Sequence, residues 1–559
     1  MTHCFSRRSF LKGSAAAAAV LSSPLLPADA AFSETENGLF SPVSAFCQTQ
    51  YGPVKGREGE NGQLCWYGIP YGAAPTGESR WTAPQEPARW LTVRDCTSPA
   101  PAAYQYTSFP LGTEDCLTLD VYSSAEAKKR PVLVYLHGSA ATGSSLELPG
   151  CELVRDAGCV FVALNYRLGL FGWNCLPALT ADPDATGNFA LLDIARALDW
   201  VRDNIRRFGG DADNITLCGF SDGGRMAAAL AGSPLFRGRF QKAVAISGGL
   251  FLADPDASAR QLAERFAPLA VEDGRFADTA SAAEWLLTQG SDVREWHPDA
   301  AAQKLAENFA PLAVEDGRFA DTASAAEWLL TPGSDVREWL CGLEPARIAA
   351  LGRPTILYAD DVVLSRGARS AVPLLLLSSA TEFSGFVRDD LRPASSAARA
   401  YAVKYGSALC RWSSTEAVAE ALGGSAPVWL GLIDYGGTDS QTAIPGLGSF
   451  HGLPLALFSS ESSYSACADL SSAGAQALSA RLKQALAGFM TSGSPGWDVW
   501  TPQDRDALHF DADSETACIT LNSYPDTQES IRAAMAADTS LSAAEKETVE
   551  HLYFSGFSF

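Results

Sequence analysis

Four short apolar runs, each closed by turn residues, most constrain what this chain can fold into. They are PVLVYLHG (131–138), CVFVALNY (159–166), NITLCGF (214–220) and FQKAVAISG (240–248). Each is a short, mainly apolar run with β-branched residues, the pattern of a parallel strand covered on both faces. Between the second and third lies NFALLDIARALDWVRDNIRRFGG (188–210). Its Leu191, Ile194, Ala195, Leu198, Val201 and Ile205 fall at helical spacing, and Gly209 closes it. Strands alternating with helices predict an α/β fold, a mostly parallel twisted sheet with helices on both faces. Two strand-like segments at 47–68 precede this unit. A further strand, VPLLLLSSA (372–380), follows a long Ala-rich helical stretch.

The third strand runs into LCGFSDGGRM (217–226), which reads G-x-S-x-G at Gly219, Ser221 and Gly223. Three fixed positions recur by chance in a chain with 48 glycines, so the surroundings decide. Here a buried strand precedes the motif and GRMAAALAG, a helical segment, follows it. Strand, tight turn, helix is what a nucleophile elbow requires. Glycines flank the serine because side chains there would collide, and the turn lifts the serine above the carboxyl edge of the sheet, where ligands of such sheets bind.

Blocks on both sides of the elbow carry a resemblance over nearly all of the chain beyond its first thirty residues. GPVKG (52–56), YGIPYGAAPTGESRWTAPQEPARW (67–90), TEDCLTLDVY (113–122), NYRLGLFGW (165–173) and SPLFRGRFQKAVAISGG (233–249) stand in one order. With the elbow they resemble the type-B carboxylesterases, the cholinesterase-like branch that includes para-nitrobenzyl esterases. The resemblance implies an α/β-hydrolase fold with helical cap insertions, and a serine hydrolase that cleaves small-molecule carboxylic esters through an acyl-enzyme. It implies no metal and no organic cofactor. The same fold also serves non-catalytic binding and adhesion proteins, which is the alternative reading.

A serine hydroxyl needs a base, and the base needs an orienting carboxylate. Of the six histidines, His451 in GSFHGLPLALF resembles the family's histidine loop and lies downstream of Ser221. His137 opens the HGSA loop, where the family keeps a structural histidine. Glu382, in TEFSGF after the strand at 372–380, resembles the family's acid, in the chain order serine, acid, histidine. Ser247 is expected behind that acid as a hydrogen-bond donor. The family's oxyanion donors map onto the backbone N–H groups of Ser139, Ala140 and Asp222. Here the chain departs from the pattern. Ser139 and Ala140 stand where the family has glycines, and Phe220 and Asp222 replace its Glu and Ala. A weakly active hydrolase with an altered oxyanion hole is therefore a further alternative. Arg167, Glu114 and Asp115 match family charges and are expected to form buried pairs. Cys96 and Cys116 are expected as a possible disulfide, as the family often has before TEDCL.

Residues 262–296 and 305–339 are almost identical, differing only at Arg265/Asn308 and Gln289/Pro332. They lie within a helical insertion expected at about 255–365 of a single domain spanning 31–559. Each copy has a capping-box helix start, Ser281-x-x-Glu284 and Ser324-x-x-Glu327, and a glycine stop at Gly290 or Gly333. One copy, with the second favoured, is expected to pack in the helical layer and the other to stand on the surface.

The chain carries 42 Lys and Arg against 64 Asp and Glu. This acidic excess argues against nucleic acid or an anionic membrane as partner. The opening residues are organised differently. SRRSFLK (Ser6–Lys12) precedes an apolar run, and Ala28, Asp29 and Ala30 give an A-x-A cleavage pattern. Residues 1–30 thus resemble a twin-arginine signal peptide, with the mature protein periplasmic or extracellular. No other run approaches the ~18 apolar residues of a membrane span. Of thirteen cysteines Cys4 leaves with the signal, and the other twelve, without a CxxC pair or zinc spacing, travel toward a compartment that permits disulfides. Replacing Arg7 and Arg8 with Lys is expected to retain the precursor inside the cell, read by immunoblotting of cell fractions. Export at the wild-type level would refute the route.

Overall fold

A computed structural model describes residues 43–59, 62–173, 187–250, 306–330, 367–387, 395–437 and 446–554, with isolated positions at 341–364 and 443–444. The signal segment, the first repeat copy (262–296), His297 and most of the expected insertion lie outside the described residues.

Among the described residues, eleven strands build one sheet. They are β1 (Arg57–Glu58), β2 (Gln63–Pro70), β3 (Thr118–Ser124), β4 (Arg130–Leu136), β5 (Val160–Leu164) and β6 (Gly210–Phe220). β7 (Lys242–Ile246), β8 (Leu374–Ser379), β9 (Val428–Ile433), β10 (Asp506–Ala512) and β11 (Ala517–Ser523) complete it. Their spatial order is β11-β10-β9-β8-β7-β6-β4-β5-β3-β2-β1. The run from β10 to β5 is parallel, while β11 and β3 to β1 are antiparallel edges. The mostly parallel sheet expected from sequence is present. Its antiparallel flank at β3 was read only as a motif block.

Strand periodicity sorts the core into two layers. On β4, Val132, Val134 and Leu136 face the layer of α2 (Phe189–Asn204) and α3 (Asp222–Gly232). Leu133 and Tyr135 face the layer of α1 (Cys151–Asp156), α6 (Leu453–Phe458) and α7 (Ala473–Ser492). α2 buries the stripe predicted for it, then tightens into a turn at Ile205–Phe208 and stops at Gly209, with φ 83°. That left-handed value favours glycine.

The expected charge pairs divide. Arg167 is buried and forms a forked pair with Asp193 of α2, at 2.6 and 2.8 Å. Glu114 pairs with Arg80 at 2.6 and 2.8 Å. Asp115 is instead exposed, so its expected burial is corrected. Cys96 and Cys116 are buried free thiols, not a disulfide. They face different surroundings, Cys96 the charges of Arg94 and Asp95, Cys116 those of Asp193 and Arg167. Burial pushes the Cys96 thiol up to about 12, which suits an inert core residue.

Within the second repeat copy, Ala306, Phe309, Ala310, Ala313, Ala325 and Leu329 are buried in one cluster with Trp81, Leu170, Phe171 and Phe189. The helix α4 (Thr322–Leu330) starts earlier than its capping-box pattern implied. Asp321 accepts from the Ser324 N–H at 2.8 Å, so Asp321 rather than Ser324 caps it. A close-packed site that holds one such segment has no room for its twin. Deleting residues 262–304, one full period, is therefore expected to leave folding intact, because 306–330 already fill this position. A thermal melt of that deletion checks it, and an unfolded product would show that both copies are structural.

Candidate active site

The site assembles at the carboxyl edge of the sheet. β6 ends at Phe220, and Ser221 follows at φ 56°, ψ −121°, a conformation that non-glycine residues seldom adopt. The backbone is held there by the Ser221 N–H donating to the Ile246 carbonyl of β7 at 2.9 Å. The glycines are needed for space. A Cβ on Gly219 would lie 2.0 Å from the Gly223 oxygen, and one on Gly223 would lie 2.3 Å from the Leu136 oxygen of β4. α3 begins at Asp222, so the first N–H groups of the helix, which have no intrahelical acceptor, surround Ser221.

Two strands further along, Glu382 opens a short helical turn after β8 and is 1% exposed. A carboxylate so buried is costly unless hydrogen bonds replace water. One oxygen accepts from the Ser379 N–H at 2.7 Å, from the Ser378 hydroxyl at 3.0 Å and from the Ser247 hydroxyl. Its other oxygen meets Nδ1 of His451 at 2.5 Å. His451 sits between aromatic rings, Phe220 with centroids 4.7 Å away and Phe386 at 5.4 Å. Since Phe220 precedes Ser221, the histidine packs directly on the elbow. The contact with Glu382 at Nδ1 leaves Nε2 as the nitrogen able to exchange a proton.

The other described histidines are placed differently. His137 is fully buried, stacks on Tyr166 and bonds the Gly138 carbonyl through Nδ1 at 2.9 Å. Burial lowers it to about 4, so it is neutral at physiological pH. His509 bonds Tyr524 on the opposite edge strands, and His551 is exposed near the end of the described chain.

The loop after β4 carries the expected oxyanion donors. Ser139 holds φ 60°, the left-handed conformation for which a glycine would be favoured. Its hydroxyl accepts from the Ala141 and Thr142 N–H groups at 3.3 and 3.2 Å, local bonds that offset the strain. The Ala140 N–H, expected to face a developing oxyanion, is instead engaged by the Asp222 carboxylate at 3.0 Å. Asp222 also pairs with Arg225 at 3.3 Å, and Arg225 donates to the Gly248 carbonyl at 3.0 Å. The substitution of Asp for the family's Ala thus reaches one of the expected donors.

Sequence reasoning missed Glu147. It lies beneath this loop, accepting from the Gly138 N–H at 2.7 Å and the Tyr135 hydroxyl at 2.6 Å. Burial pushes its carboxyl up to about 7. Ser378, Ser379 and Phe386 were also unmarked. No motif marks any of the four: Glu147 meets its partners across a loop, and the serines serve Glu382 from within a plain apolar strand end. Among the described residues no group of three His, Cys, Asp or Glu side chains is placed to hold a metal ion.

An open parallel sheet with a strained serine turn and a Glu–His pair at its carboxyl edge defines an α/β-hydrolase fold. Residues 43–295 match the family model described as "Carboxylesterase family". A solved thermophilic PNB esterase superposes with a TM-score of 0.60 at 26% identity, covering 87% of this chain and 99% of its own. The para-nitrobenzyl esterase of Bacillus subtilis (strain 168) is 38% identical over 259 residues, 44% of this chain and 52% of the relative. The fumonisin B1 esterase of Sphingopyxis macrogoltabida is 37% identical over 215 residues, 36% of this chain and 39% of the relative. Over these residues the chain is similar to the carboxylesterases, and its fold is theirs. In these sequence alignments it spans about half or less of the relatives' length. Residues 4–23 match the twin-arginine translocation signal, and the protein is exported by that route to the periplasm or beyond. Among the described residues no helix is long and apolar enough to cross a membrane.

Proposed function

We propose that this protein is an exported serine esterase that hydrolyses small-molecule carboxylic esters through an acyl-enzyme. The observation that carries the reading is the Glu382–His451 bond packed, through Phe220, against the strained turn at Ser221. Ser221 Oγ attacks the ester carbonyl while His451 Nε2 takes its proton. Glu382 fixes the imidazole's orientation and stabilises the imidazolium. His451 then returns the proton to the departing alkoxide, leaving an acyl-serine. Water, activated by the same histidine, releases the acid and restores the hydroxyl. The backbone N–H groups of Ser139 and Asp222 serve the oxyanion, joined by Ala140 when the Asp222 carboxylate yields its N–H. The name of the Bacillus relative makes para-nitrobenzyl esters reasonable first substrates.

Labelling of Ser221 by an organophosphonate, located by peptide mapping, tests the nucleophile. Ser221→Ala is expected to keep the fold and lose roughly 10⁴–10⁶ in turnover. More than a tenth of wild-type turnover in that variant would overturn the assignment.

The Asp222–Ala140 bond favours a second reading, a hydrolase held to low activity by its own oxyanion loop. A carboxylate beside the developing oxyanion is repulsive, and it occupies a donor worth on the order of 10²–10³ in rate. Asp222→Ala is accordingly expected to raise kcat, by up to about 100-fold. Steady-state kinetics on one ester decide this, and an unchanged or reduced kcat would exclude such a brake.

A further inference from the structure

The described cysteines include one close pair that the proposed catalytic site does not use. Cys65 is in β2 and Cys151 is the first residue of α1, 86 positions apart. Their sulfurs are 3.7 Å from each other. A disulfide needs about 2.05 Å, so closure asks for an approach of roughly 1.7 Å, within reach of small side-chain rotations. The two elements are already tied at the same place. The Gln63 side chain of β2 donates to the Cys151 carbonyl at 2.9 Å. Both cysteines belong to the same core layer, Cys65 within it and Cys151 at its rim.

We propose that Cys65 and Cys151 are an oxidation site, and that they form a disulfide joining β2 to α1 once the exported protein meets a disulfide oxidant. Export supplies the compartment, since disulfides persist outside the cytoplasm and are removed within it.

The asymmetry of the pair sets the order of events. Cys65 is buried, whereas Cys151 is partly exposed and so is the sulfur an external reagent meets first. The hydrogen bond shared with Cys65 holds the Cys151 thiol below the ordinary value, favouring the thiolate there. The Cys151 thiolate attacks one sulfur of the oxidant's disulfide, forming a mixed disulfide and releasing one thiolate. Cys65, losing its proton, then attacks the Cys151 sulfur and expels the second. Two protein thiols are oxidised and one external disulfide is reduced to two thiols. This pair takes the place of the expected Cys96–Cys116 bridge, whose thiols are both enclosed in the other core layer.

The test uses the purified full chain, prepared reduced and then exposed to oxidised glutathione. It is unfolded without reductant, alkylated, digested and mapped by mass spectrometry. The expected result is a single linked peptide containing Cys65 and Cys151, with neither residue alkylated and a mass lower by two hydrogens. Reduction should lower the melting temperature of the oxidised wild type and leave that of Cys151→Ser unchanged. Alkylation of both residues after oxidation, or a link from either to another cysteine, would overturn the proposal. So would an equal fall in the melting temperature of Cys151→Ser on reduction.

Discussion

The buried carboxylate of Glu382 organises this molecule. At 1% exposure it must find its hydrogen bonds within the protein. It finds them at the ends of separate strands: Ser247 after β7, Ser378 and Ser379 at the end of β8, and His451 in the loop entering α6. Satisfying one charge therefore fixes three neighbouring chain segments. Ser247 itself holds φ 51°, and its N–H donates to the Leu377 carbonyl at 2.7 Å. A strained backbone persists only where its surroundings over-determine it, and the carboxylate and the sheet together do so here.

The loop of Gly138 to Ala140 obeys a different logic. It is braced from below by Glu147 and gripped from the side by Asp222. Both are carboxylates receiving backbone N–H groups, which are strong, charge-assisted bonds. They compensate for the glycines that this loop lacks. A glycine-rich loop reaches the left-handed conformation freely, whereas Ser139 reaches it with help from its own hydroxyl. Phe220 likewise replaces a family carboxylate with a ring that packs on His451 and Tyr464. A ring thus fills the space between elbow and histidine, packed on both His451 and Tyr464.

Much of this was legible in the amino-acid order. The buried strands, α2 with its Gly209 stop, and the glycines around Ser221 follow from periodicity and from steric rules acting over a few residues. Family resemblance pointed to Glu382 and His451, and the structure brings the two into contact. The errors have a common origin. Ser324 was read as a cap by its spacing to Glu327, but Asp321 also stood within reach and a carboxylate is the stronger acceptor. Asp115 and the Cys96–Cys116 pairing were carried over by resemblance, which transfers residue types but not distances.

The sequence by itself determined the local facts: which segments become strands, where the turn must be glycine, and that the chain carries an export signal. These depend on neighbours one to four positions away. Tertiary structure alone decided which charges meet. Asp222 reaches Ala140 across 82 positions, and Cys65 meets Cys151 across 86. It also decided that Glu147, unmarked by any motif, would sit half-buried beneath the loop and accept the Gly138 N–H. Such contacts depend on sheet order and on the angle at which loops leave the strands. Both are set by packing the whole core at once, and no stretch of sequence encodes them separately.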